Sequence, residues 1–234
     1  MFQALRKWTY DLTGLFYPEI CEACDDLLIP GEKIFCTRCM ITLPQTGYHL
    51  LNDNPVARQF WGKVPLHSAA SCWHFQKGGK VQRLLHRLKY EHKPEIGIRA
   101  GELYGLQLKD ASDFRDVSMI LPVPLHPQKL KIRGYNQAAS FGEGLARTMQ
   151  AEMKEDILLR QRHTDTQTKK SRFARFLNVG TAFYVADPGK LVNRHVLLVD
   201  DVITTGSTLE ACAMKIMEGV NVRVSVASIA YADR

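Results

Sequence analysis

One uninterrupted run, VLLVDDVITTGSTL at residues 196–209, constrains this chain more than any other feature. Val196, Leu197, Leu198 and Val199 are continuously apolar, as a central strand buried on both faces requires. Asp200 and Asp201 follow at once, where the carboxyl end of a strand in an open parallel sheet meets a ligand crevice. Adjacent carboxylates are costly there without partners, and sugar hydroxyls or a partly hydrated Mg2+ would supply them. Thr204, Thr205, Gly206, Ser207 and Thr208 are small and hydroxyl-rich. They lead into a helix whose apolar face is Leu209, Cys212, Ala213, Ile216, Met217 and Val220. An anion at that helix start would meet free backbone N–H groups and the positive end of the dipole. The dipole contributes only ~0.3–1 kcal/mol at an exposed site, so direct hydrogen bonds must carry the affinity. Either half alone would suit a strand end or a helix cap. Joined without a break, they point to a phosphate-binding strand–loop–helix.

The rest of the chain supplies a sheet for this loop. From residue 117 strand and helix patterns alternate: VSMILPV, then GYNQAASFGEGLARTMQAEM as helix, HVLLVDD, STLEACAMKIMEGV as helix, and VRVSVASIAYA. Residues 69–75 suit an edge strand, Val81, Leu84, Leu85 and Leu88 form a helical stripe, and residues 96–108 read as a further helix. The alternation predicts an α/β fold with a parallel sheet flanked by helices on both faces.

Cysteine usage sets off the N-terminal part. Cys21 and Cys24, then Cys36 and Cys39, give C-x2-C-x11-C-x2-C. Each pair can place two thiolates on one metal, and the intervening residues suffice for a small ribbon. Structural Zn2+ is the first expectation and iron–sulfur ligation the second. Cys72 and Cys212 stand in apolar surroundings and read as core residues. Pro44, Gly47, Asn52, Asp53, Asn54 and Pro55 are breakers, so a module over residues 1–62 is expected ahead of a larger domain over 63–234. Phe2, Leu5, Trp8, Leu12, Leu15 and Phe16 fall at helical spacing. A helix docked on the body suits them better than a membrane-surface helix, because Arg6 and Lys7 are its only cations. No apolar run approaches the roughly 20 residues of a membrane span, and a cytoplasmic location is expected.

The formal charge of +7 is concentrated in the middle of the chain. Residues 61–180 hold 21 Lys and Arg against 11 Asp and Glu, whereas both flanks are slightly acidic. Such a field suits a polyanion, either a diphosphate-bearing metabolite or nucleic acid, and its bland counterpart is a solvated basic surface. LPVPLHPQKLKIRGYNQ at residues 121–137 follows a strand and carries His126, Lys129, Lys131 and Arg133. These are candidates to hold a diphosphate, against the alternative of a proline-stiffened surface turn. RQRHTDTQTKKSRFARFLN at residues 160–178 offers Lys169, Lys170, Arg172 and Arg175 for a lid, with single-stranded DNA contact as the competing use.

VLLVDDVITTGSTL resembles the phosphoribosyl pyrophosphate (PRPP) motif of type I phosphoribosyltransferases. The resemblance implies that Asp200 and Asp201 hold the ribose 2′ and 3′ hydroxyls and that Thr204, Thr205, Gly206, Ser207 and Thr208 hold the 5′-phosphate. In members that salvage 6-oxopurines an acid stands where this chain has Thr204, which speaks against those bases as acceptor. The cysteine pairs, LKYEHK, PVPLHPQKLKIRGYNQA, RHTDTQTKKSRFARFLNV and the PRPP-type motif together, in that order, resemble the ComF (ComFC-type) family. The usual family form has Phe at Tyr135 and Arg at Lys129, and Lys cannot reproduce a bidentate Arg fork. The resemblance implies a PRPP-binding, Mg2+-dependent phosphoribosyltransferase-like protein linked to DNA uptake in natural transformation, with no acceptor named. The alternative is a non-catalytic PRPP-binding or single-stranded-DNA-binding factor working with the uptake proteins.

Overall fold

A computed structural model describes residues 18–161 and 182–233. The helix expected over residues 2–17 and the lid candidates Lys169, Lys170, Arg172 and Arg175 lie outside the described residues. In chain order the strands are β1 (Ser68–His74), β2 (Met119–Pro122), β3 (Glu152–Met153), β4 (Leu158–Arg160), β5 (Phe183–Val185), β6 (His195–Ile203) and β7 (Arg223–Tyr231). The α-helices are α1 (Thr37–Thr42), α2 (Pro55–Arg58), α3 (Lys80–Tyr90), α4 (Pro94–Leu108), α5 (Pro127–Arg133), α6 (Gln137–Met149) and α7 (Ser207–Met217).

Five strands form one parallel sheet in the order β1-β7-β6-β2-β3, while β4 and β5 pair antiparallel beside it. Side chains of β6 alternate between the two faces. Leu197 and Val199 join Leu88, Ile96, Tyr104, Phe141 and Leu145 on one side. Val196 and Leu198 join Val56, Phe60, Phe183, Leu209 and Ile216 on the other. Burial on both faces is why the strand reads as an unbroken apolar run.

The order also locates a crevice. From β2 the chain crosses through α5 and α6 to β3 on one side, and from β6 it crosses through α7 to β7 on the other. β2 and β6 are neighbours, with Pro122 opposite Val199, so their carboxyl ends flank the switch point at which open α/β sheets bind ligands.

Two local features bear on this crevice. The stretch after β2, whose alternative reading is a proline-stiffened surface turn, contains the short helix α5. Pro127 occupies its first turn, where a missing N–H costs nothing, and the His126 ring caps the end by accepting from the Gln128 N–H at 3.2 Å. The breaker-rich segment near residue 54 is likewise built into the body. The buried Asn54 side chain accepts from the Val56 and Ala57 N–H groups at 2.9 and 3.0 Å and donates to the Ala69 carbonyl of β1 at 2.9 Å. It thereby caps α2 and aims Phe60 into the core beside α7.

Behind the crevice α4 and α6 pack backbone to backbone. Built side-chain carbons would meet the Phe141 carbonyl oxygen at 2.2 Å from Gly101 and the Ile98 carbonyl oxygen at 2.0 Å from Gly144. Small residues at four-residue intervals allow this approach. It sets α6, and hence the α5–α6 corner, against the sheet.

Candidate functional site

Asp200 and Asp201 stand where β6 leaves the core, and both are half-buried. The Asp201 N–H donates to Asp200 Oδ1 at 2.8 Å. Burial, and after it the charge of Asp201, pushes the Asp200 carboxyl up to about 7, while the charges of Lys89 and Lys129 pull it down. Asp201 Oδ2 meets Lys89 Nζ at 3.0 Å, with the two side chains 15% and 23% exposed. One of the two carboxylates of the crevice is thus paired with a cation of the chain itself.

The loop that follows turns through Gly206, which is buried at φ +72°. The Gln59 side-chain amide donates to the Thr204 carbonyl at 3.1 Å, and Thr205 Oγ1 lies 3.0 Å from Ser207 Oγ. Helix α7 then begins with no side-chain cap. The Ser207 N–H reaches Thr205 Oγ1 at 3.4 Å, a long bond, and a helix start of this kind offers N–H donors to an anion. Thr204 and Thr205 are exposed, and Ser207 and Thr208 half-buried, so the hydroxyls expected to hold a phosphate border the same opening.

The basic candidates divide. Lys129 lies close enough for its charge to act on Asp200. Lys131 is exposed on α5. Arg133 donates to Gln137 Oε1 at 2.8 Å and lies 5.7 Å over the Tyr90 ring, and His126 is taken up in capping. Three contributors were not picked out from sequence: Lys89, Gln59 and Phe60. LKYEHK carried the one usable signal for Lys89, a cation beside an apolar helical stripe, yet Arg83, Arg87 and Lys93 carry the same signal.

Cys21, Cys24, Cys36 and Cys39 converge, with all four sulfurs within 4.8 Å of one another. The Cys36 N–H donates to Cys21 Sγ at 3.3 Å and the Cys39 N–H to Cys36 Sγ at 3.4 Å. Four buried or half-buried thiols, two of which receive these backbone N–H bonds, fit a tetrahedral thiolate metal site, with Zn2+ as the ion suited to a closed structural centre. The module is docked on α3 by charge. Arg87 meets Glu22 at 3.0 Å and Asp25 at 2.6 Å, Arg83 meets Asp25 at 2.6 Å, and Lys93 meets Glu22 at 2.7 Å. Among the described residues no helix is long and apolar enough to cross a membrane.

A parallel sheet with an acid pair and a glycine-led helix start at its switch point is an arrangement suited to a phosphorylated ligand. Residues 136–234 match the family model described as phosphoribosyl transferase domain. The chain is 36% identical over 130 residues to Competence protein F of Haemophilus influenzae, covering 54% of this chain and 57% of that protein. It is 28% identical over 210 residues to DNA utilization protein YhgH of Escherichia coli K12, covering 88% of each. The chain is thus similar to competence and DNA-utilization proteins, and its C-terminal part, residues 136–234, matches the phosphoribosyl transferase domain model. Among solved structures it resembles glutamine PRPP amidotransferase from B. subtilis, with a TM-score of 0.43 and 18% identity over 62% of this chain and 30% of that one.

Proposed function

We propose that this chain binds PRPP together with Mg2+ in the crevice between β2 and β6. The observation that carries this reading is the uncapped start of α7 beside the half-buried acid pair. Asp200 and Asp201 take the ribose hydroxyls, and the loop Thr204–Thr208 takes the 5′-phosphate through backbone N–H and hydroxyl groups. Mg2+, when bound, offsets the diphosphate charge, and Lys129 faces the same anion from α5. The four cysteines hold Zn2+ as a structural centre. The names of the relatives favour a role in handling DNA during uptake or use, with phosphoribosyl transfer to an acceptor as the activity.

Calorimetric titration with PRPP and Mg2+ tests the binding reading. Saturable binding to the native chain is expected, with its loss in the Asp200→Ala/Asp201→Ala double variant; equal binding by both would overturn it. Incubation with PRPP and a panel of nucleobases decides transfer, which requires acceptor-dependent release of pyrophosphate. Binding without release leaves a PRPP-dependent accessory factor.

A second reading, single-stranded DNA binding, is favoured by one surface. Tyr90 is 60% exposed, meets the His86 ring at 5.0 Å with the planes tilted by 47°, and lies under Arg133, with Lys129 and Lys131 exposed on the nearby helix. An open aromatic ring among cations suits base stacking along a backbone-binding groove. Affinity that fails to appear at low salt would remove this reading.

A further inference from the structure

We propose that Lys89 is a diphosphate-binding residue of the crevice, a role that rests on the PRPP reading above. Helix α3 presents five cations within and just beyond it, Lys80, Arg83, Arg87, Lys89 and Lys93, and Lys80 donates to Cys39 Sγ at 3.4 Å and Thr42 Oγ1 at 3.3 Å of the cysteine module. Arg83, Arg87 and Lys93 are committed to Asp25 and Glu22 of the cysteine module. Lys89 points the other way and reaches Asp201 across the carboxyl end of the sheet at 3.0 Å. Its backbone is well held, because Leu88 is fully buried and its carbonyl accepts from the Tyr135 hydroxyl.

The pair changes meaning when the site fills. Ribose hydroxyls need Asp201 as an acceptor, so a sugar held on the acid pair competes with the ammonium for that carboxylate. A lysine displaced from a part-buried carboxylate needs another anion close by. The diphosphate on the anomeric carbon is that anion. It is joined directly to the ring that the carboxylates grip, whereas the 5′-phosphate is drawn away toward the start of α7. An ammonium on a flexible four-carbon stem can move between the two without any change in α3. In the empty protein Lys89 offsets the charge of Asp201, and in the loaded protein it offsets the diphosphate.

The two roles separate in a comparison of ligands. PRPP and ribose 5-phosphate share the sugar and the 5′-phosphate and differ in the diphosphate. Each is titrated with Mg2+ into the native full-length chain, Lys89→Met and Lys89→Arg, with melting curves to establish that each variant is folded. The expected result is a loss of PRPP affinity of about tenfold or more in Lys89→Met, equivalent to ~1.4 kcal/mol. Ribose 5-phosphate affinity should be unchanged or improved, and Lys89→Arg should restore most of the PRPP affinity. Equal losses for both ligands would make Lys89 a structural partner of Asp201 alone and overturn the proposal, as would unchanged PRPP affinity. A native chain that binds no PRPP at all defeats the underlying reading, and this one with it. A native chain that binds PRPP as tightly as Lys89→Met defeats only the role of Lys89.

Discussion

The ring of Phe60 lies against Gly206, where a built side-chain carbon would come within 3.0 Å of two ring carbons. The wall of the phosphate loop is thus supplied by α2 and the turn after it, far away in the chain. Gly206 also has φ +72°, a conformation that costs other residues ~1–2 kcal/mol. Gly206→Ala is expected to destabilise the chain by about that amount or more and to weaken PRPP binding, because both the turn and Phe60 must shift. Urea unfolding and PRPP titration measure the two effects, and full retention of both would contradict this account of the loop.

Gly101 and Gly144 make a stronger demand, since their obstacles are backbone carbonyl oxygens at 2.2 and 2.0 Å. Backbone cannot rotate aside as a side chain can. Gly101→Ala should therefore cost about 3 kcal/mol or more, at the upper end of overpacking effects, and a lowered urea midpoint with unchanged slope would show it.

Asp200 makes the stability of the chain sensitive to pH. Its native carboxyl titrates near 7, above the ~3.9 of an unfolded aspartate, so between those values the native state binds more protons than the unfolded chain. The resulting penalty is absent at low pH, grows as the pH rises through this window, and is complete above it. Asp200→Asn should consequently be more stable than the native chain at pH 8, by ~1–3 kcal/mol once solvent access to the half-buried group is allowed for. That margin should vanish near pH 4. Denaturation at several pH values provides the check, and a constant difference would contradict it.

The four sulfurs predict one metal ion per chain. Metal analysis of the purified protein should find about one Zn2+, and Cys36→Ser should lower the metal content and the melting temperature together. Because Glu22 and Asp25 of the same module hold Arg83, Arg87 and Lys93, chelation should also loosen α3. Faster amide exchange along α3 than along β7 after chelation would show that spread.

The phosphate loop was legible because its parts adjoin in sequence: apolar strand, acid pair, small hydroxyl-bearing turn and helix follow one another without a gap. The cysteine pairs were legible for the same reason, each being a short local spacing. The basic stretch after β2 was only partly so. Its cations were visible, but their division among Asp200, Gln137 and solvent depends on the turn of α5, which three prolines obscured.

The sequence by itself determined the alternation of strands and helices, the acid pair near the carboxyl end of β6, and the cysteine pairs that converge. Periodicity and short spacing encode all of these. The tertiary structure alone decided that β2 and β6 lie side by side at a switch point, that Phe60 backs Gly206, and that Lys89, among five similar cations, reaches Asp201. Those relations join segments far apart in the chain, and a solvated charge leaves no periodic trace of the partner it will meet. The long-range packing of α3 between the cysteine module and the sheet selects that partner.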